Sequence, residues 1–398
     1  MSEYCVGSVK DTTVIDTEEI LDFANMVFSM SSGSIDFRRT LPKAYLAERA
    51  MIPTHHMIKE EGRIKALIDV YPGKLCLGQE SLSYGYIGTV SVHPRARSKG
   101  YMIELMKNAE DQLRRDGADF VLLDGNRHRY QHYGFEKAGM KYCFNITKDS
   151  IRHYVNSQSQ ECGQKDKIYF EFVDSVEHDA VEVMYELYQK RNVTARHDKE
   201  EFYLCLCGWE ANTYAVMLDD ECIGYFNTTA EDDSVYEFAL KDISQLPMVI
   251  WAFMQEMEPQ ELGINVGMDE VEAITILDSC SDYYTLNMSH QMKILNYESV
   301  LRFLLMWKQR AEGSLADGCF VIGVKDIQTN YFIKVSDGKI EVEETSEKAD
   351  VVYSGLELVR TLTTSYYFHE VRRAESPLRN APTGWFPLPF YLPVTDAF

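Results

Sequence analysis

Val90-Ser91-Val92-His93-Pro94-Arg95-Ala96-Arg97-Ser98-Lys99-Gly100-Tyr101 is the stretch that decides how this chain is read. Its valines are β-branched and predict the end of a strand, and a loop with three basic residues and one glycine follows. Met102, Leu105, Met106, Ala109 and Leu113 then recur at helical spacing, with Asp116-Gly117 as the stop. Strand, basic loop and helix start in that order make a cradle for a pyrophosphate. The first turn of a helix leaves backbone N–H groups unpaired, and the macrodipole adds about half a positive charge there. Gly100 lets backbone come close to a ligand, while Arg95, Arg97 and Lys99 bring countercharge.

Two common phosphate loops are excluded. The chain has no G-x-x-x-x-G-K-[ST], and no G-x-G-x-x-G after a strand. The stretch resembles the acetyl-coenzyme A loop of the GNAT N-acetyltransferases, whose pattern is [QR]-x-x-G-x-[GA]. Arg97-Ser98-Lys99-Gly100 matches the first four positions, and Met102 departs at the sixth.

The length of 398 residues implies two or three domains. A net charge of −22 argues against a nucleic-acid partner and suits cationic small molecules. No apolar run approaches the roughly 18 residues of a membrane span, and Met1-Ser2-Glu3-Tyr4-Cys5 lacks the regions of a secretory signal. Nine cysteines without a C-x-x-C pair read as reduced thiols. The expectation is a cytoplasmic protein with no membrane contact.

From the first residue, helix and strand signals alternate. Asp16 and Glu19 resemble a capping box opening a helix through Phe28. Arg63–Val70 and Tyr84–Val92 read as strands joined by a turn at Tyr71-Pro72-Gly73, followed by the loop and helix, a strand at Phe120–Leu123, a helical patch around Tyr130 and a strand over Lys141–Ile146. A polar linker is expected over Asn156–Asp166. Beyond it the plan repeats: a helix at Val181–Tyr188, a hairpin around Asp219-Asp220-Glu221, a strand at Val235–Leu240 and a helix near Met248–Met257. Its counterpart loop, Lys241–Pro247, lacks arginines and glycine.

From about Met292 an amphipathic helix, a meander with an Asp337-Gly338 turn and another helix resemble the sterol carrier protein fold. The expected fold class is therefore α/β and α+β: tandem GNAT-like mixed-sheet domains followed by a sterol carrier protein-like domain. The expected boundaries are 1–155, 156–290 and 291–398, with the middle unit a degenerate GNAT-like scaffold. Pro377–Phe398 holds five prolines and is rich in aromatics, so it is expected to be irregular and packed down.

Three units in this order resemble the Eis (enhanced intracellular survival) family of acetyltransferases, across essentially the whole chain. The resemblance implies acetyl transfer from acetyl-CoA to amines of aminoglycosides, polyamines or lysine side chains, and homo-oligomers that include hexamers. It rests most on the loop, on Tyr130-Gln131-His132-Tyr133-Gly134-Phe135, and on the chain end Thr395-Asp396-Ala397-Phe398. It assigns Tyr130 as the acid that protonates the leaving thiolate, and the terminal carboxylate of Phe398 as base or amine anchor. A terminal carboxylate with a pKa near 3.5 would take a proton from an ammonium near 10.4 only at a cost of roughly 9 kcal/mol. Electrostatic anchoring with a water relay fits that better than direct base catalysis. The cofactor residues implied are Val90 and Val92 for the pantetheine arm, Arg95, Arg97, Ser98, Lys99 and Gly100 for the pyrophosphate, and Tyr101 beside them.

Four rival readings are open. His128 and His132 stand four apart but lack an H-E-x-x-H frame, so no metal site is expected; His55-His56 reads as a loop pair. No G-x-S-x-G occurs, which leaves a serine hydrolase unsupported. A binder of lipid or another hydrophobic ligand, or an acetyl-CoA sensor without catalysis, are the alternatives; the sensor has no use for Tyr130 or a terminal carboxylate.

Overall fold

In a computed structural model the structure describes residues 4–9, 14–45, 53–158 and 168–398. The first part contains β1 (Tyr4–Val9), α1 (Val14–Ser32), the one-turn helices α2 (Phe37–Thr40) and α3 (Pro42–Tyr45), β2 (Thr54–Glu60), β3 (Arg63–Leu77) and β4 (Glu80–Val92). It continues with α4 (Tyr101–Arg115), β5 (Phe120–Leu123), α5 (Arg127–Gln131), β6 (Glu136–Thr147) and α6 (Lys148–Gln158). The middle part contains β7 (Ile168–Phe172), α7 (Ala180–Gln189), β8 (Thr194–Ala195), α8 (Lys199–Leu206), β9 (Asn212–Leu218) and β10 (Glu221–Thr228). After these come β11 (Ser234–Leu240), α9 (Leu246–Glu256), β12 (Glu261–Gly267), α10 (Val271–Cys280) and β13 (Tyr283–Ile294). The last part contains α11 (Tyr297–Glu312), β14 (Gly318–Val324), β15 (Thr329–Ser336), β16 (Lys339–Thr345), β17 (Val351–Tyr353), α12 (Gly355–Thr363) and α13 (Tyr366–Val371).

One mixed sheet of 13 strands runs β1-β2-β3-β4-β5-β13-β6-β12-β11-β10-β9-β7, with β8 paired to β3. The joint is β6. On one side β13 pairs with it antiparallel from Tyr283↔Asn145 to Met292↔Glu136, and on the other β12 pairs from Glu261↔Thr147 to Gly267↔Lys141. The strand beside β5 is thus supplied from far along the chain, through Gln291↔Leu123 to Ile294↔Phe120. Such long-range pairing leaves no local sequence signal. A second sheet, β16-β15-β14-β17, packs through α11 into the core that also holds α1 and the chain end. On the opposite face of the first strands, α4 buries Tyr101, Leu105, Met106, Ala109 and Leu113. The mixed α/β class expected from the sequence is the one observed. Among the described residues no helix is long and apolar enough to cross a membrane.

Several local expectations change. Helix α1 already begins at Val14, so Asp16 lies inside it and the expected capping box does not open it. Tyr71-Pro72-Gly73 is not a turn but lies within β3, which runs on to Leu77 and pairs Pro72 with Gly85. Gly73 is there because the Tyr84 ring lies where its Cβ would be, at 2.2 Å. The linker expected over Asn156–Asp166 starts inside α6, and residues 159–166 lie outside the described residues. The expected boundary between 290 and 291 falls within β13, and that between 155 and 156 within α6. His55 and His56 are strand residues of β2, not a loop pair. Both hairpin turns expected at Asp219-Asp220 and Asp337-Gly338 form, with positive φ at all four residues.

Candidate active site

The parallel ladder between β4 and β5 runs only from Tyr84↔Phe120 to Ile87↔Leu123. Past Ile87 the two strands part. On its other side β4 carries a bulge, with Asp69 opposite Gly88 and Leu67 opposite Ser91, and Thr89 at φ 52°. The bulge bends β4 away from β5 and opens a cleft. Beyond it the loop closes with Pro94–Ala96 in a 3₁₀ turn, and Gly100 at φ 84° starts α4 without a side-chain cap. An uncapped helix start of that kind suits an anion.

A cavity of about 770 Å³ lies at this point, a volume suited to a small-molecule site. Of the residues expected to hold the cofactor, Val90, Val92, Arg97, Ser98, Gly100 and Tyr101 line it. Arg95 and Lys99 do not. The Lys99 ammonium instead hydrogen-bonds Glu60 of β2 at 2.8 Å, and the Tyr101 hydroxyl donates to the same carboxylate. That pairing raises the lysine pKa and lowers that of Glu60. Arg129 of α5, which the sequence reading missed, lines the cavity in their place. The only signal for it was its position next to Tyr130.

Tyr130 is buried, and Gly125 at φ 141° makes room for its ring, since a Cβ there would sit 2.8 Å from it. Burial raises its pKa and the neighbouring Arg129 charge pulls back, with burial prevailing. The phenol therefore keeps its proton at neutral pH. His128 and His132 are exposed on either side of it.

The segment from Pro377 to Phe398 is irregular and mostly buried, as expected. Buried carbonyls outside regular structure need donors, and side chains of the body supply them. Lys308 donates to Pro387 O at 2.8 Å, His290 to Leu392 O at 2.9 Å, Trp209 to Val394 O at 3.1 Å and Lys43 to Thr395 O at 2.6 Å. Phe398 then lies in the cleft. Its carboxyl carbon is 3.7 Å from the position of a Cβ on Gly88, where β4 leaves β5. Its ring stacks on Tyr71 at 4.1 Å, and the Lys43 ammonium stands 4.1 Å above it. The Tyr86 hydroxyl, in contact with the Phe398 backbone, donates to Asp124 at 2.7 Å, and His290 meets the same carboxylate at 2.8 Å.

Beneath the bulge lies a buried polar cluster that the sequence reading also missed. Asp69 is fully buried and accepts from Tyr45 Oη at 2.6 Å, with His55 Nδ1 at 2.6 Å on its other oxygen. Tyr71 and Thr89 complete it, each within 3.1 Å of the Tyr45 hydroxyl. Burial first, and then the Asp69 charge, push both tyrosines well above the ordinary phenol range, so they remain donors. A carboxylate between Ile68 and Val70 in an apolar strand was the available signal.

Residues 8–138 match the family model of the acetyltransferase (GNAT) domain. The chain is thus an enzyme of the acyltransferase class. In fold it is similar, over 98% of its length and 100% of the other, to a probable N-acyltransferase of Enterococcus faecalis (TM-score 0.69, 10% identity). A GCN5-related N-acetyltransferase of Anabaena variabilis is similar with both chains covered 100% (TM-score 0.66, 15% identity). Eis1 of Mycobacterium abscessus is similar over 99% of this chain and 100% of its own (TM-score 0.64, 12% identity). No curated protein matches the chain in sequence.

Proposed function

We propose that this chain transfers acetyl from acetyl-CoA to primary amines of the kind found on aminoglycosides, polyamines and lysine side chains, like the Eis family it resembles. The observation that carries this reading is the carboxyl of Phe398 beside Gly88, where the cleft opens. The freed edge of β4 at Val90 and Val92 takes the pantetheine arm. Arg97, Ser98 and Gly100 hold the pyrophosphate with Arg129, and Arg95 and Lys99 add long-range charge.

The amine nitrogen attacks the thioester carbonyl, forming the C–N bond and a tetrahedral intermediate. As the C–S bond breaks, Tyr130 gives its proton to the sulfur, and the proton leaving nitrogen passes to the Phe398 carboxylate through water. Solvent then takes the proton from the Phe398 carboxyl and returns one to the Tyr130 oxygen. The products are an amide and the free thiol. The net charge of −22 favours cationic acceptors.

We read the middle unit as a scaffold without its own cofactor site and the last unit as a sterol carrier-like support for the tail. Tyr283, Tyr284 and Leu286 are exposed along β13, which supports a homo-oligomer. The test is coenzyme A release from acetyl-CoA with a panel of amines, on the whole chain and on one lacking Phe398. Turnover that vanishes with the last residue supports the reading; tight acetyl-CoA binding with no turnover on any amine overturns it.

A further inference from the structure

The tail carries one charged side chain close to its end, and that side chain is buried. Asp396, two residues before the terminus, is 4% exposed. A carboxylate at such depth is costly unless a partner meets it. The partner is His197, which precedes α8: its Nε2 stands 2.7 Å from Asp396 Oδ1, with the Tyr188 hydroxyl 3.4 Å from the other oxygen. Cys205 of α8 is 3.6 Å from the same ring nitrogen. None of these groups touches the cofactor cavity or belongs to the residues assigned to the transfer.

We infer that His197 is a positioning residue of the acetyl transfer: by holding Asp396 it fixes the terminal carboxylate of Phe398 in the cleft. This rests on the proposed function, in which that carboxylate takes part. Other clamps on the final residues include the Lys43 bond to Thr395 O, the Trp209 bond to Val394 O, a Thr395 hydroxyl donated to Glu237, and the Tyr71 and Lys43 contacts on the Phe398 ring. His197 differs from them in meeting a charge, and only Ala397 separates that charge from Phe398. Misplacement of a reacting group by 1 Å can cost about 100-fold, so a terminal carboxylate set loose by a freed Asp396 shows as a loss of kcat.

His197, Cys205 and Asp396 offer donor atoms within 4.8 Å of one another, a set that would also suit zinc. The 2.7 Å contact is that of a direct hydrogen bond, however. Ligands of a tetrahedral zinc stand roughly 3.3 Å apart. Lys43 also already brings positive charge to Asp396 and Cys205. The geometry is that of a charge-paired latch.

The latch is sensitive to pH. The groups facing His197 are Asp396 from the tail, Cys205 and Glu201 from α8, Tyr188 from α7 and, across Asp396, Lys43 from α3 and Arg191. Burial alone would lower the imidazole pKa, but Cys205 and Asp396 outweigh it and hold it well above the ordinary histidine range. A raised pKa means the pairing is complete below about pH 6.5 and fades as pH climbs through the raised value.

The experiment compares the wild type, His197→Gln, Asp396→Asn and a chain lacking Phe398, each checked for a cooperative unfolding transition above the assay temperature. Asp396→Asn alters only the tail, so it keeps the test open if His197→Gln misfolds. Two quantities are read: steady-state acetyl transfer, and the rate at which carboxypeptidase A frees Phe398, normalised to a peptide control. Expected for both substitutions is a fall in kcat of about 10-fold or more with the acetyl-CoA KM within about twofold, and about 10-fold faster release of Phe398. Release from the wild type should quicken toward alkaline pH and be flat in Asp396→Asn. Unchanged kcat and release, with the shortened chain inactive, would overturn the latch and leave the proposed function standing. An inactive wild type whose Phe398 is nevertheless freed faster in both variants would overturn the proposed function instead. Stoichiometric zinc in the purified protein would also overturn the charge-paired latch.

Discussion

The ring of Phe398 lies parallel to that of Tyr71, with centroids 4.1 Å apart and planes 12° from parallel. Tyr71 belongs to β3, so one aromatic pair joins Phe398 to the strand next to the cleft. The Tyr71 hydroxyl meanwhile points into the cluster around Asp69, bonding Tyr45 at 2.8 Å and Thr89 at 3.0 Å. The ring holds the tail and the hydroxyl holds the bulge. Tyr71→Leu should therefore lower kcat several-fold with little change in acetyl-CoA KM, because such a stack contributes about 0.5–1.5 kcal/mol beyond its buried area. Tyr71→Phe keeps the stack and should retain most of kcat while losing about 1 kcal/mol of stability in denaturant unfolding.

Tyr130→Phe removes the proposed acid and nothing else of the ring. The expected loss in kcat is about 100-fold or more, at unchanged acetyl-CoA affinity. Because burial already holds the phenol above its ordinary range, wild-type activity should show no loss from Tyr130 ionisation below about pH 10. In Arg129→Ala, which removes the charge that opposes burial, that limit moves further up. A pH–rate profile of both variants checks the direction.

Arg97 and Lys99 should differ as cofactor residues. Arg97 lines the cavity, and Arg97→Ala should weaken acetyl-CoA binding by about 10- to 100-fold, the worth of a charge-assisted hydrogen bond. Lys99 is held by Glu60, so Lys99→Ala should cost only a fewfold. Glu60→Gln frees the ammonium and should tighten binding. Titration calorimetry at two salt concentrations separates these outcomes, and a weaker complex in Glu60→Gln would refute the account of Lys99.

Gly139 of β6 shows how closely the tail is packed. A Cβ at this residue, which sits at φ 68°, would lie 1.9 Å from the Phe390 carbonyl oxygen. Gly139→Ala must push the tail outward or strain β6. The expected cost is about 3 kcal/mol or more, seen as a lower unfolding midpoint. If the tail yields rather than the strand, carboxypeptidase will also free Phe398 faster.

Local chemistry in the chain determined much of this protein. The β-branched run ending at Val92, the basic loop and the apolar stripe of α4 place a strand, a loop and a helix by spacing alone, and each forms as read. The aromatic and proline content of Pro377–Phe398 dictated a segment that is irregular yet buried. Tertiary structure decided the rest, because it depends on residues far apart in sequence. That β13 enters between β5 and β6, that Lys99 turns to Glu60 while Arg97 and Arg129 line the cavity, and that His55 meets Asp69 are all settled by strand neighbours. The same holds for Asp396 and His197, which stand 199 residues apart and meet only because a buried carboxylate needs a partner the folded body alone can offer.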